Sequence, residues 1–541
     1  MGGLYLYRGS LQTFLPVPSY TPRSFNPPPV FFLHRTPFSL IDTLPPASLS
    51  PLPAFTSHTL AAHSHMDRTN STSSRDLEKD EGVATTEFRR PSVSKERHNV
   101  VVEGVVVQDA VFGDINDGGP NYRGLGWIRA AVLLVKSQIG LGVLGIPSVL
   151  TSVGLVPGII LIFTVAVLST FGAWVVGVFK LAHPSVYTLA DVGYLIGGPI
   201  GREIMGGFYF LMLTAVAGAG MLGTATAFNA ISENGACSVV FTLIAAILTF
   251  IFSSIRTLQK IGWIGFVGFI SIMTAVIILT IAVGIQDRPS SAPQVGPWDP
   301  QVIIVGNPSF YDAMTAVVTI IFSFAGAPNF FNIIAEMRDP RDYNKALALC
   351  QTIVISTYVI IGCVVYHFCG IYVSSPALGS AGPLLKKVCY GIALPGLLVG
   401  CVLNTHMPAK YIFIRFMKNS PYLNSSGWQH WSVWLACVLG CTTFSFLIAE
   451  AIPFFNDLVS LIGALLSTLL SIIAEAVMFL WLYRAVLRKR SERNKTLVAG
   501  GSLSVFMIVM GSVVVVSGTI ASVIAINNSL KNGTTKAPFA C

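Results

Sequence analysis

Two apolar stretches of this 541-residue chain are interrupted by glycine and proline in the same manner. Residues 132–147 read VLLVKSQIGLGVLGIP, placing Gly140 and Gly142 ahead of Pro147. Residues 322–329 read FSFAGAPN, placing Gly326 ahead of Pro328. Glycine lets the backbone leave helical geometry without a Cβ clash, and proline removes an N–H and weakens the local ladder. A helix broken in this way stops with free carbonyls and restarts with free N–H groups. Those at Gly140–Gly142 lie at the positive end of a helix dipole, which suits a carboxylate. The carbonyls freed around Phe324 and Ala325 suit an ammonium group. Donors on one side and acceptors on the other fit a zwitterion, and this is the physical argument for an amino acid as ligand. The candidate binding residues are Ser137, Gly140, Leu141 and Gly142 at the first break, and Phe322, Ser323, Phe324, Ala325 and Gly326 at the second. Phe322 and Phe324 either close over an apolar substrate side chain or act as ordinary core aromatics.

Ionisable residues within apolar stretches are few. Lys136 lies four residues before Gly140, and Glu475 lies in SIIAEAV. A charge inside hydrocarbon is costly unless it is paired or functional, so both are candidates for proton coupling, together with His406. The alternatives are snorkelling of Lys136 to the surface, a structural hydrogen-bonded acid at Glu475 and a packing role for His406. The run Glu336-Met-Arg338-Asp339-Pro-Arg341 mixes both signs. It reads either as a gate whose ion pairs break and re-form or as a solvated loop. Thr214, Gly218, Gly220, Gly223, Thr224 and Thr226 form a small-residue face that suits close helix packing or a cavity wall.

These residues need long apolar helices to position them. The chain is 53% hydrophobic and 11% charged, with a mean hydropathy of +0.68, which excludes an ordinary soluble core. Many stretches exceed the ~18 apolar residues that suffice to cross a bilayer. Spans are expected near 127–151, 154–180, 203–230, 237–255, 261–285, 310–335, 346–372, 388–416, 429–450, 453–483 and 497–526. The two breaks then fall in the first and sixth of eleven spans. Glycine and proline kink many membrane helices for packing alone, but breaks five spans apart point to inverted repeats with a substrate between them. The expected fold is an all-α integral membrane protein with a five-plus-five inverted repeat, discontinuous helices 1 and 6, and one extra span.

Lys and Arg concentrate in alternate loops, which places the N-terminus in the cytoplasm and the C-terminal tail outside. Residues 1–65 read as a disordered or mis-annotated extension, with Met66 as a plausible start. Residues 66–125 read as a disordered cytoplasmic tail, residues 126–526 as the transporter domain, and residues 527–541 as a short outer tail bearing a sequon at Asn532. Cys237, Cys369 and Cys389, near expected outer helix ends, are candidates for a disulfide. The nine cysteines show no metal spacing. No nucleotide-binding loop, no nucleophile–base–oxyanion constellation and no nucleic-acid motif is present, so neither an enzyme nor a primary pump is expected, and no cofactor or metal is required.

The motifs LVKSQIGLGVLGIP (134–147), EMRDPRDY (336–343) and HMPAKYIFIR (406–415) make residues 125–285 and 305–450 resemble the amino acid/auxin permease family of the amino acid–polyamine–organocation superfamily, in the style of the fungal neutral amino acid permeases. The resemblance implies amino acid import by alternating access. In sodium-coupled relatives the slot of Lys136 holds an Asn that helps bind the ion, so the lysine favours proton coupling here. The expectation is a proton-coupled symporter of neutral amino acids. The partners would be its substrate, the proton, the lipid bilayer and, at Lys79 and Lys95 of the tail, ubiquitin or trafficking machinery. The plasma membrane is the default location, and the vacuolar membrane stays open. A receptor that binds amino acids and signals without net transport is the rival reading.

Overall fold

The computed structural model describes residues 108–109, 113–114, 124–256, 258–417, 420, 427–488 and 494–531. The expectations for the 1–65 extension, for Met66, Lys79 and Lys95, and for Asn532 lie outside the described residues. The described chain is helical apart from a two-residue antiparallel ladder, Gln108–Asp109 with Gly113–Asp114, and one isolated bridge.

The first break separates α1 (Trp127–Gln138) from α2 (Leu141–Val153), which are bent by 45°. α3 (Leu155–Ala182), α4 (Leu189–Ser232), α5 (Ser238–Ser253) and α6 (Leu258–Ile285) follow. The second break lies between α7 (Phe310–Phe324) and α8 (Phe330–Ala335), across a short 3-10 turn at Ala327–Asn329. Next come α9 (Tyr343–Cys369), α10 (Pro383–Met417), α11 (Trp428–Ala451), α12 (Phe455–Leu461), α13 (Ala474–Arg488) and α14 (Lys495–Lys531). Among the described residues nine helices are long and apolar enough to cross a membrane. The α1–α2 pair makes a tenth, and α5 is shorter at 16 residues. The helices stand where hydropathy places them, with one main exception at α4. Its start at Leu189 precedes the expected 203 because a capping box of Thr188 and Asp191 begins a short separate helical segment, and Gly197 and Gly198 then break helical geometry before Pro199.

α10 is the central post, packed against α4, α6, α5 and α11, while α2 packs against α7 and α9. Small residues set the closest approaches. A Cβ on Gly218 would meet the Ser445 carbonyl at 2.7 Å, and one on Gly220 would meet Cys401 Sγ at 2.7 Å. The small face of α4 therefore packs helices, in line with dispersion-driven association in lipid. On α14, Gly511 and Gly518 lie against Ile473 and Val318. The opposite face of α14 exposes Val505, Val509, Val513, Val516, Ile520 and Val523, a stripe at helical spacing that suits lipid.

Four arginines at the ends of helices lie over aromatic rings: Arg129 over Trp263, Arg202 over Tyr194, Arg256 over Trp431 and Arg484 over Trp481. Such amphipathic pairs are enriched at the headgroup level of a bilayer. At the other end of the bundle, Cys237 is disulfide-bonded, whereas Cys369 and Cys389 are free, which narrows the three disulfide candidates to one. The chain between α6 and α7 covers the α2–α3 corner there, accepting from the N–H groups of Leu155 and Val156 through Ile303 and Ile304.

Gly154 makes that corner, with φ of +87° and no room for a Cβ, which would meet the Gly306 nitrogen at 2.5 Å. Gly154→Ala is expected to destabilise the protein by about 1–3 kcal/mol, because the new side chain meets both an unfavourable φ and backbone atoms. A thermal unfolding scan in detergent that shows no loss against wild type would contradict this.

Candidate functional site

The two breaks face each other. A Cβ on Gly142 would meet Ser323 Cα at 2.6 Å, and Ser323 Oγ donates to the Gly142 carbonyl at 3.1 Å. A Cβ on Gly326 would meet Gln138 Cγ at 2.6 Å and Ser137 Oγ at 2.9 Å. Glycine is therefore required at both positions for the close approach of one interrupted helix to the other, beyond any need for local flexibility.

Several carbonyls released by the breaks are paired within the protein. Tyr358 Oη, on α9, lies 2.9 Å from the carbonyl of Gln138 and 2.7 Å from that of Ser323, sharing its one proton between the ends of α1 and α7. Ser169 Oγ, on α3, donates to the Phe324 carbonyl at 3.1 Å. The Phe324 carbonyl is thus not free to hold a ligand ammonium in the way the sequence alone suggests. The first-turn N–H groups of α2 have no acceptor within their own helix.

A single pocket joins the two breaks. Lys136, Ser137, Gln138, Gly140, Leu141 and Gly142 line it from the first, and Phe322, Ala325 and Asn329 from the second. Met212, Leu213, Val216 and Gly220 of α4 make one wall, and Gly396, Leu397, Gly400 and Asn404 of α10 make another. Of the expected binding residues, Ser137, Gly140, Leu141, Gly142, Phe322 and Ala325 are in the lining. Ser323 and Gly326 lie just behind it as packing contacts, and the Phe324 ring turns edge-on to Tyr358, with ring centroids 5.0 Å apart. Of the α4 wall, only Gly220 belongs to the small-residue face that the sequence offered for packing or for a cavity wall. Met212, Leu213 and Val216, and the whole α10 wall, escaped residue-level reasoning, since nothing in either helix marks which face turns to the breaks.

Lys136 is buried, and among the described residues it is the only charged one in the pocket lining. Its ammonium donates to the Ile139 carbonyl at 3.4 Å, a long contact at the break itself. Cβ atoms on Gly140 and Gly400 would stand 3.6 and 3.8 Å from Nζ, so the ammonium lies between α1 and α10 beside the break. Snorkelling to the surface is not what the structure shows.

Glu475 is elsewhere. It is 1% exposed at the start of α13, and neither carboxylate oxygen has a hydrogen-bond partner among the described residues. Its carboxylate fills the space above Gly172 of α3, leaving no room for a Cβ there. The chain just before it, Ile462–Ser467 and Leu469–Ile473, is π-helical, a rare form that recurs at functional sites. His406 does not line the pocket. It donates through Nδ1 to the Ser253 carbonyl at 3.3 Å and packs edge-on to Trp434.

The expected gating residues separate. Glu336 is 1% exposed and forms a 2.5 Å ion pair with Lys410 of α10. The Glu336 carbonyl accepts from the Leu125 N–H, and the Arg338 N–H donates to the Leu125 carbonyl, so the strand leading into α1 is strapped across the end of α8. Asp339 accepts from the Arg341 backbone N–H as a local cap. Among the described residues, neither the Arg338 nor the Arg341 side chain forms a salt bridge with Glu336.

A family model described as "Transmembrane amino acid transporter protein" matches residues 123–524. An "N amino acid transport system protein" of Neurospora crassa is 33% identical over 435 residues, covering 79% of this chain and 90% of its own length. A "Transmembrane transporter" of Fusarium pseudograminearum is 35% identical over 426 residues, covering 79% and 89%. The "Amino acid transporter AVT1J" of Arabidopsis thaliana is 25% identical over 395 residues, covering 72% and 88%.

Tyr358→Phe is expected to leave two buried carbonyls without their donor, at a cost of about 1–3 kcal/mol. A lowered midpoint of thermal unfolding together with reduced substrate uptake is the expected result, and an unchanged midpoint would show that the hydroxyl is not holding the breaks.

Proposed function

The chain belongs to the transmembrane amino acid transporter family and is an amino acid transporter of the membrane, and we propose that it is a secondary active symporter that carries neutral amino acids with protons by alternating access. The observation that carries this reading is the pocket at the facing breaks, in which a buried lysine is the only charged lining residue among those described.

A zwitterion places its carboxylate against the free N–H groups that open α2, with Lys136 as a nearby positive charge. A cationic side chain would meet that ammonium with no carboxylate in the lining to offset it. An acidic side chain would bring a second anion to a single lysine. Neutral substrates fit the charge balance best.

Lys136 also bears on the coupling ion. Its ammonium already sits against the Ile139 carbonyl and beside Gly400, between the first break and α10. A sodium ion bound to these groups would be repelled by it. A proton is the remaining driving ion, and Glu475, buried and without a hydrogen-bond partner, is the candidate carrier. Its place beside the π-helical stretch allows its charge state to bias helix geometry next to α7, since Gly463 packs directly against the Val318 carbonyl.

The end of the bundle that carries the arginine–aromatic pairs is taken as the cytoplasmic one, a reading supported by the positive-inside pattern and by the disulfide-bonded Cys237 at the opposite end, which suits an oxidising side. The plasma membrane, with the N-terminus inside, accords with both. Closure of the inner side rests on Glu336 and Lys410, supported by the Leu125 strap.

Uptake of labelled neutral amino acids into proteoliposomes tests the reading. Accumulation should rise with an inward proton gradient and vanish with an uncoupler, whereas accumulation driven by sodium alone would refute the argument from Lys136. Glu475→Gln is expected to reduce proton-driven accumulation to the level seen without a gradient. Proton dependence equal to wild type in that variant would remove Glu475 from the coupling path.

A further inference from the structure

The pocket has a polar wall that the capture of a zwitterion's main chain does not use. Gln138, the last residue of α1, is 4% exposed, and among the described residues neither its side-chain oxygen nor its side-chain nitrogen has a hydrogen-bond partner. Asn329, in the 3-10 turn of the second break, is 5% exposed, and its Oδ1 is likewise unpartnered. Asn329 Nδ2 reaches Asn404 Oδ1 only at 3.5 Å, beyond the usual range for such a bond. Asn404 Nδ2 donates to the Gly400 carbonyl at 2.9 Å. All three residues line the same pocket. Met212, Leu213, Val216 and Leu397, also in the lining, have side chains of carbon and sulfur only.

Buried amide groups without partners are rare in folded proteins, because each forfeits its hydrogen bonds to water without replacement. Lining a pocket, they are satisfied when the pocket fills with a molecule of the right chemistry. Gln138 lacks both a donor and an acceptor partner, and Asn329 lacks a donor to its oxygen. The matching group must donate and accept at once while carrying no charge. A primary carboxamide does both, and a hydroxyl does so at a single atom.

Resting on the reading of this pocket as the amino acid site, we propose that Gln138, Asn329 and Asn404 form a side-chain subsite that selects neutral amino acids with a carboxamide or hydroxyl side chain over aliphatic ones of similar length. The apolar wall from α4 and Leu397 packs the methylene stem of such a side chain. An aliphatic side chain would fill the same space but would keep the amides from water without replacing their bonds. Sites built to hydrogen-bond a substrate group discriminate strongly against analogues that lack it.

The test compares kcat/KM for glutamine and norleucine in proteoliposomes under one proton gradient, with alanine uptake measured alongside. Wild type should prefer glutamine by about tenfold or more. Asn329→Leu and Gln138→Met should each bring that ratio towards one. Simple damage to the protein would lower both rates together and leave the ratio in place, which counts against the subsite. A wild-type ratio of one or below overturns the proposal without recourse to any variant. Uptake of alanine with no preference for glutamine defeats the subsite alone, whereas absence of saturable uptake for every amino acid defeats the underlying reading of the pocket.

Discussion

Backbone groups inside a bilayer have no water to turn to, and this constraint orders the centre of the molecule. Interrupting two helices at membrane depth releases carbonyls and N–H groups that must find partners within the protein. The carbonyls largely do. Tyr358 serves the ends of α1 and α7 with one hydroxyl, and Ser169 serves Phe324. What the protein leaves open is the N-terminal turn of α2 and a set of side-chain amides. The surface open to the pocket is therefore the remainder after internal satisfaction, and its chemistry follows from which groups were left over.

Two charged arrangements sit at different depths and do different work. Lys136 stands in the pocket with only a long contact to Ile139, a buried charge without a carboxylate partner in the lining. Glu336 and Lys410 are matched at 2.5 Å, both nearly inaccessible. A buried pair of this kind adds little net stability against an apolar isostere, but separating it is expensive, since each partner would be stranded in a poor solvent. Such a contact suits an element that is either fully closed or fully open. The lone lysine, by contrast, gains most when something anionic enters beside it.

The sequence alone displayed the helical layout and the two interruptions, because hydropathy and Gly-Pro placement are local signals. It also marked six of the nine lining candidates at the breaks. The expectation failed where the answer depends on three-dimensional neighbours. The Phe324 carbonyl looks free in the sequence and is taken by Ser169, 155 residues away. Phe324 reads in the sequence either as a lid for substrate or as a core aromatic, and its ring packs edge-on to Tyr358, whose own role no motif announced. Gln138 and Asn329 were in plain view beside the glycines, yet an amide inside a helix gives no sign of whether it will find a partner. Likewise Lys410 lay within a noted motif, but its pairing with Glu336 required two helices to meet.

The contact between Leu125 and the end of α8 has a mechanical consequence. The residue is held by main-chain bonds to both Glu336 and Arg338, on either side of the bridge to Met337. One of these, Glu336, also carries the carboxylate that closes on Lys410. The main chain entering α1 is thereby tied to the ion pair at the end of α8. Any separation of α8 from α10 must either break these main-chain bonds or carry Leu125 with it, so the strap and the Glu336–Lys410 contact hold or move as one unit.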